Sequence, residues 1–384
     1  MNSINWQKLG LKKNPFKIVP DKEGEKLVWA GFKENKKKFE KIITDSVSSN
    51  GSKVILVVSR YGGGKTHSSY YFSNSENIPN ISDGYPSPIS IIVTSPMKGN
   101  DATGELFKNI VEKIKWRNIE GSVRGLRQAY QTDAESLNVL ESWTNSEDLA
   151  RLLWLMGDEN PDIVFLAQQA IFGQNTTSLK NTLRIRRVVS SDTDRDNALS
   201  GIFMLLANYA DGKAFDTKRR IFLWIDELES LIYYTAKEYR PFTQFLRQLY
   251  DVTPNYLTMF LSFSFSDPSD FQNIEIVLGQ ALMDRTSTSI IFDEATIEQG
   301  KEYLSELLSK YRNDGFEGGK YSPFTEDAID LLLERASAIL EKPITPRTIG
   351  KLSLNIISEA FNQGVLYEKQ IDAKFIDSIK FIED

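Results

Sequence analysis

The sequence predicts an α/β fold in which a parallel sheet is followed by a helical C-terminal domain. Two short apolar runs carry the sheet. Val54 to Val58 leads into a glycine-rich loop, and Ile221 to Ile225 ends in two acidic residues. Such runs are typical of strands that are buried on both faces of a parallel sheet. Beyond Ala295 the apolar spacing becomes helical, which predicts a small helical lid after the sheet.

The glycine-rich loop after the first run has the pattern of a phosphate-binding loop. Consecutive glycines let the backbone adopt positive φ and bring its N–H groups close to phosphate oxygens. We expect the lysine to reach the β and γ phosphates, and the threonine to offer its hydroxyl to Mg²⁺ at the start of a helix. A serine stands where the usual motif has its first glycine. The alternative interpretation of the segment is a glycine-rich turn that happens to precede Lys-Thr. The predicted nucleotide-binding residues are Ser59, Arg60, Tyr61, Gly62, Gly63, Gly64, Lys65, Thr66 and His67.

The acidic pair after the second run has the form of a Walker B strand end. Asp226 is predicted to hold Mg²⁺ through water, and Glu227 to orient and polarise an attacking water. A hydrophobic run that ends in Asp-Glu is weak evidence alone, because many strands end in acids. Together with the glycine-rich loop it favours hydrolysis of a nucleoside triphosphate.

Composition narrows the class of protein. The chain has 384 residues, of which 41% are hydrophobic and 26% charged, as expected for a soluble protein of about two domains. It has neither a run of about 18 apolar residues nor a signal-peptide core at its start, so we expect a cytoplasmic protein without membrane segments. The absence of cysteine and the single histidine, His67, exclude disulfides, thiol catalysis and Cys- or His-rich zinc sites.

The net charge of −6 argues against non-specific coating of nucleic acid, which needs a positive surface. Local basic clusters remain candidates for DNA contact, although such clusters are more typical of solvated helix or strand ends. They are Lys36 to Lys38 with Lys41, Arg184 to Arg187, and Lys218 to Arg220. Direct DNA binding is therefore a hypothesis at this point.

Three segments are predicted: an arm and first helix (1–50), a nucleotide-binding core (51–294) and a lid (295–384). Pro15, Phe16 and Trp29 are expected to pack the arm onto the nucleotide domain. A helical insert at about 116–187 is unusually long for a connection between two strands of a nucleotide site, and its end, Leu183 to Val189, is predicted to be extended. The remaining predicted strands are Ile89 to Thr94 and Tyr256 to Phe265.

Polar residues at the end of the last predicted strand are candidates to sense a γ-phosphate, and Ser264 or Ser266 is placed there. The alternative is that these serines are simply tolerated in a strand. Helices are predicted around Glu34 to Val47, Gly104 to Lys115, Asn197 to Tyr209, Tyr239 to Tyr250, Thr296 to Tyr311, Thr325 to Leu340, Thr345 to Asn362 and Asp372 to Ile379.

The order of these motifs resembles AAA+ P-loop ATPases. Arg285 follows the serine-ended strand, and Thr345-Pro346-Arg347 opens a lid helix. Within that group the chain looks closest to the origin-recognition, ExeA and TniB side, because its arm, from Gly10 through Asn14-Pro15-Phe16 to Pro20, is similar to their opening. The insert with Trp154 to Gly157 also resembles ATP-binding proteins of phage-defence clusters such as BREX.

The resemblance implies a Mg²⁺-dependent ATPase. Arg347 matches the lid arginine that contacts the γ-phosphate of its own subunit, and Arg285 a position that reaches a neighbour's nucleotide. Each has an alternative reading as a surface salt-bridge partner. The resemblance further implies a ring or filament of identical chains, protein partners in a multi-subunit system and DNA as a possible partner. The alternatives are a transposition or replication regulator and an interaction subunit that keeps ATP without turnover. A small-molecule kinase is disfavoured, because no acceptor-site pattern accompanies the motifs.

Overall fold

A computed structural model describes residues 4–17, 27–49, 51–78, 86–96, 101–210, 213–214, 218–253, 255–265, 270–338 and 344–379. All structural statements below concern these residues. Pro20 and Ser266, named above on sequence grounds, lie outside them.

The main sheet has five strands in the order β2-β5-β6-β1-β7, and two very short strands pair separately as an antiparallel hairpin. β2 and β6 both run parallel to β5, with Ile89 and Leu257 opposite Ile221. The predicted α/β fold with a parallel sheet and a C-terminal helical domain is confirmed. The strands are β1 (Lys53–Arg60), β2 (Ile89–Thr94), β3 (Tyr209–Ala210), β4 (Lys213–Ala214), β5 (Ile221–Asp226), β6 (Leu257–Phe265) and β7 (Thr286–Phe292).

Fifteen α-helices are present in the described residues, and a kink at Gly279 interrupts the eleventh. They are α1 (Lys33–Ser48), α2 (Lys65–Ser73), α3 (Ala102–Ile114), α4 (Trp116–Ala129), α5 (Asp133–Thr144), α6 (Glu147–Leu155), α7 (Pro161–Ile171), α8 (Thr177–Leu183), α9 (Asp192–Asn208), α10 (Ala236–Val252), α11 (Asp270–Met283), α12 (Ile297–Tyr311), α13 (Glu326–Ala338), α14 (Pro346–Asn362) and α15 (Ala373–Ser378).

The chain divides into two compact units. The first unit contains residues 1–39, 58–72 and 291–384, and the second contains residues 40–57 and 73–290. The glycine-rich loop and the C-terminal helices therefore belong to one unit, and the acidic strand end belongs to the other. The three predicted sequence segments stay a prediction.

The second unit is built around the sheet and the long helical insert. All six residues of β5 are buried, as expected for a central parallel strand. Trp224 of this strand stacks on Phe260 of β6, with ring centroids 3.7 Å apart. The insert consists of α4 to α8, and the side chains of Thr132, Ser146, Asn160 and Thr176 cap α5 to α8.

The first unit has its own apolar core, which the N-terminal arm joins. Leu11 and Phe16 are fully buried among residues of α12, α13 and α14. The prediction that Phe16 packs the arm onto the nucleotide domain is therefore wrong, because the apolar faces of the C-terminal helices provide its cover. Trp29 behaves as expected, with its ring 5.3 Å from Tyr71 and 5.5 Å from Phe72 of α2.

One local prediction needs correction. The segment Leu183 to Val189 is not a strand, because Leu183 ends α8 and Arg184 adopts a left-handed conformation at φ 55°. The backbone N–H groups of Arg186 and Arg187 then donate to the carboxylate of Asp148 rather than to a sheet. Two further elements, α11 and β7, are present that the sequence pattern does not predict.

Candidate nucleotide-binding site

The glycine-rich loop connects β1 to α2 in the first unit, as the motif predicts. Gly62 and Gly64 have φ of 82° and 105°, values that a side chain strongly disfavours. The N–H of Ser68 donates to the carbonyl of Gly64 at 2.9 Å, which closes the first helical turn after the loop. The loop therefore has the glycine-dependent backbone and the helix N-terminus that suit a phosphate.

Ser59, which replaces the usual first glycine, has a defined place beneath the loop. It is fully buried, and its hydroxyl accepts a hydrogen bond from the ammonium of Lys65 at 2.7 Å. The same hydroxyl donates to the carbonyl of Arg60 at 2.7 Å. A Cβ on Gly63 would lie 2.8 Å from Oγ of Ser59, so the serine and Gly63 are matched in size. The departure from the motif is thus accommodated by a polar contact with the motif lysine.

The start of the lid helix lies against the loop within the first unit. An ideal Cβ on Gly62 would come within 2.7 Å of Cβ of Arg347 and 3.0 Å of Oγ1 of Thr345. Thr345 caps α14 by accepting from the N–H of Thr348, and Pro346 occupies the first helical turn. Arg347 is exposed at this point. The structure therefore brings Arg347 to the loop, where a lid arginine is expected.

The remaining loop residues have different surroundings. Arg60 forms an ion pair with Glu294 at 2.6 Å, and the Tyr61 side chain is half exposed. The His67 ring lies among aromatic rings, 6.0 Å from Trp29, and burial lowers its pKa to about 4. His67 is therefore neutral at pH 7, and its ring packs against aromatic side chains.

The acidic strand end belongs to the second unit. Asp226 is buried, its Oδ1 accepts from the N–H of Glu227 at 3.0 Å, and its carbonyl accepts from the N–H of Ser95 at 2.7 Å. Glu227 is exposed and left-handed at φ 62°, an unusual conformation for a residue with a side chain. The backbone therefore turns sharply at the residue that the sequence assigns to water activation.

Glu229 was missed by the sequence analysis. It lies in a short 3₁₀ helix, Leu228–Tyr233, directly after the acidic pair. Its Oε2 accepts from the N–H of Ser264 at 2.9 Å, and so links the turn after β5 to the end of β6. On the other side, the hydroxyls of Ser95 and Ser230 are 3.0 Å apart. The second glutamate of the Asp-Glu-Leu-Glu string, Glu229, is visible in the sequence. Only the sheet order shows that it meets the end of β6.

Arg285 has a partner inside the second unit. Its guanidinium forms two hydrogen bonds of 2.9 Å with the carboxylate of Asp251, and it lies 5.8 Å from the centroid of the Tyr250 ring. The described structure thus contains the salt bridge that was its alternative reading. A role at a neighbour's nucleotide stays a prediction.

Two of the three basic clusters are largely occupied by contacts within the chain. Arg186 pairs with Glu147 at 3.0 Å, and Arg187 approaches Asp148. In the Lys218 to Arg220 cluster, Lys218 donates to the hydroxyl of Tyr256, Arg219 to the carbonyl of Ser87 and Arg220 to the carbonyl of Asn255. The contacts of the Lys218 to Arg220 cluster fix the loops at the start of β2, β5 and β6.

Each unit contains groups of the kind that suit ATP or Mg²⁺. In the first unit, Lys65 and the loop N–H groups suit phosphates and the Thr66 hydroxyl suits Mg²⁺. In the second unit, Asp226 provides a carboxylate oxygen of the kind that Mg²⁺ prefers. In the described part of the chain, no group of three or more His, Cys, Asp or Glu side chains is arranged to hold a metal ion.

No protein-family model matches the chain, and no curated protein matches it in sequence. Solved structures do match. The ORC2 protein of Aeropyrum pernix, solved as ADPNP and ADP complexes, aligns with a TM-score of 0.50 and 10% identity over 97% of this chain and 73% of its own. Drosophila ORC bound to DNA aligns with a TM-score of 0.50 and 9% identity over 98% of this chain and 66% of its own. At this identity the likeness establishes the fold alone: an α/β fold with a parallel sheet and a C-terminal helical domain, shared with these two structures.

The described residues contain no helix with the length and apolar character that a membrane crossing requires.

Proposed function

We propose that this chain is an AAA+ ATPase that binds and hydrolyses ATP with Mg²⁺ and uses the cycle to assemble or load partner proteins on DNA. The observation that carries the proposal is the contact between the loop and the lid helix. A Cβ on Gly62 would lie 2.7 Å from Cβ of Arg347, so the first turn of α14 lies against the glycine-rich loop. An arginine guanidinium beside such a loop is suited to hydrogen bonding with phosphate oxygens, which supports a nucleotide ligand.

The residues divide into roles that follow from their chemistry. Lys65 and the loop N–H groups would neutralise phosphate charge. Thr66 and Asp226 would provide oxygens for Mg²⁺, which would supply further charge neutralisation. Glu227 accepts a proton from water, and Arg347 stabilises the charge that develops on the γ-phosphate. Ser264, held through its N–H by Glu229, reports on the γ-phosphate.

DNA binding and nucleotide binding each have support from one matched structure, and partner proteins are included from the motif resemblance alone. One of the matched structures is described as ORC bound to DNA. The other is described as nucleotide complexes of an ORC protein. Oligomer formation, with Arg285 exchanging Asp251 for a neighbour's nucleotide, is part of the proposal and depends on breaking the observed ion pair. A cytoplasmic location is also proposed.

The phage-defence or mobile-element setting is proposed from the resemblance of the insert to BREX-cluster proteins alone. Neither matched structure supports it, and a role in replication or transposition control is the alternative. An interaction subunit that binds ATP without turnover is the second alternative.

The test measures ATP hydrolysis and light-scattering mass for wild type, Lys65→Ala and Glu227→Gln, with and without duplex DNA. The proposal predicts that Lys65→Ala abolishes turnover and that Glu227→Gln accumulates a larger species with ATP. ATP-dependent assembly without turnover in the wild type would favour the non-hydrolysing subunit. Equal mass and background turnover in all three proteins would refute the ATPase.

A second experiment compares the turnover of Arg347→Ala with that of Lys351→Ala, its matched control. Both residues are exposed cations on α14, one helical turn apart. Loss of a transition-state arginine is expected to lower turnover by about three orders of magnitude, whereas the control keeps the wild-type rate. Equal effects of the two variants would contradict the assigned role of Arg347.

A further inference from the structure

A basic corner between α3 and α4 belongs to neither the nucleotide site nor the basic clusters described above. Its five residues read Lys113-Ile114-Lys115-Trp116-Arg117, and both lysines and the arginine are exposed. Within the described residues, none of these three cations has an ion-pair partner. The nearby acids are already paired, Glu112 with Lys108 at 3.7 Å and Glu120 with Arg124 at 3.3 Å.

The corner residue itself has a backbone that its side chain does not favour. Lys115 has φ 68° and ψ 129°, a region in which glycine is the usual residue. Its N–H closes α3 by donating to Val111 at 3.2 Å, and its carbonyl accepts from Asn118 in α4 at 3.0 Å. No contact within the described chain requires a lysine there. The strained position therefore carries a charge for which local folding gives no reason.

An aromatic pair lies next to these charges. The rings of Trp116 and Phe172 meet edge to face with centroids 5.1 Å apart, and Phe107 supports Phe172 from the other side at 6.4 Å. Trp116 is partly exposed, and Phe172, at the end of α7, is 39% exposed. Large apolar side chains at a surface are informative when they form a group beside charges.

We infer that this corner binds a single-stranded nucleic acid. The three cations, which have no ion-pair partner in the described residues, can contact the phosphates of a flexible single strand. The partly exposed aromatic pair offers a ring face on which a base outside a duplex can stack. Duplex DNA keeps its bases stacked on each other, so it would use the charges alone. The local balance of five basic and two acidic residues over 108–124 contrasts with the net charge of −6 for the chain.

The inference names a surface for the DNA part of the proposed function, but it does not require ATP turnover. The binding test is therefore made without nucleotide, and Lys65→Ala is expected to bind the strand as the wild type does. If the chain did not hydrolyse ATP, the corner would still be expected to bind the strand. If the corner did not bind the strand, ATP hydrolysis in the absence of DNA would still be expected.

The experiment follows the anisotropy of a labelled oligo(dT) of about 20 nucleotides over a range of salt concentrations. Each phosphate contact on a single strand contributes about 0.7 to the slope of log affinity against log salt concentration. Loss of one contact therefore lowers the affinity about fivefold at 0.1 M salt. Lys113→Ala, Lys115→Gly and Arg117→Ala are each expected to lose about that factor and to lower the slope by about 0.7. Lys369→Ala, an exposed lysine of the first unit, is the charge-matched control and keeps both values.

Two variants separate binding from folding and stacking from charge. Lys115→Gly relieves a positive φ, so its thermal stability should equal or exceed that of wild type while its affinity falls. Phe172→Ser is expected to weaken binding at least about fivefold without changing the salt slope, because stacking is not an ionic contact. The inference would be overturned if the wild type did not bind the strand or if the three charge variants kept its affinity. It would also be overturned if duplex DNA competed equally and Phe172→Ser had no effect.

Discussion

Asp196 gives the chain a pH dependence that is unusual for a carboxylate. It lies on α9 with 1% of its surface exposed, and neither carboxyl oxygen has a hydrogen-bond partner among the residues that the structure describes. Burial, and to a lesser degree the charge of Asp192, raises its pKa to about 9. The side chain is therefore protonated and neutral in the folded protein at pH 7.

The size of the effect follows from proton linkage. The unfolded chain releases this proton near pH 4, so between about pH 4 and pH 9 the folded state binds one more proton than the unfolded state. The free energy of unfolding then falls by about 1.4 kcal/mol for each pH unit as the pH rises. His67 acts in the opposite direction below pH 6.5, where only the unfolded chain protonates it. Between pH 7 and 8.5 the contribution of His67 is constant, and Asp196 should lower the free energy of unfolding by about 2 kcal/mol.

Urea unfolding at pH 7.0 and 8.5, followed by tryptophan fluorescence, measures this loss. Four of the six tryptophans belong to the second unit, which contains Asp196. Asp196→Asn cannot ionise and should show no slope between the two pH values. Glu141→Gln, an exposed acid on α5 of the same unit, is the control and should keep the wild-type slope. A flat wild-type profile, or the same slope in Asp196→Asn, would refute a buried neutral carboxyl.

Three further outcomes are expected. The His67 ring signals, unambiguous because there is one histidine, should stay unshifted by NMR from pH 8 to 5, whereas a midpoint near 6.5 would contradict burial. Gly62→Ala should weaken binding of an ATP analogue by tenfold or more in calorimetry, since its Cβ would meet Arg347 at 2.7 Å, while Gly121→Ala, with open space around it, should bind normally. Glu229→Ala should lower kcat for ATP with little change in KM, and Glu229→Gln should retain most activity because its amide oxygen still accepts the N–H at the end of β6.

The parts of the fold that could be predicted are those with a local signal. β2 was predicted residue for residue, and β5 and β6 to within one residue, because each is a buried run with turn residues at its ends. β7 lacks that signal. Its residues Thr286–Phe292 are mostly exposed and it forms the edge of the sheet, so its sequence has no continuous apolar run. α11 was missed for a related reason, since the kink at Gly279 breaks its apolar period.

The candidate site shows the same limit. The identity of the loop residues was readable because glycine, lysine and threonine each have a physical role at a fixed spacing. The pairing of charges was not readable. Arg187 meets Asp148 and Arg285 meets Asp251 across 39 and 34 residues respectively, and no periodic pattern in the chain specifies those contacts. A run of basic residues therefore predicts a charged segment, but only the fold shows which charges are left without a partner.

Ser59 and Gly62 together suggest how a nucleotide would act on the lid. Ser59 holds the ammonium of Lys65 from beneath the loop, at 2.7 Å, and Gly62 allows the first turn of α14 to approach from above. A phosphate that attracts Lys65 and Arg347 would have to draw one away from Ser59 and the other along the surface of Gly62. Both movements occur within the first unit, so the lid helix would respond through a direct contact with the loop. The arrangement requires small residues at both positions, which is why a serine is tolerated in place of the first glycine but a Cβ at Gly62 is not.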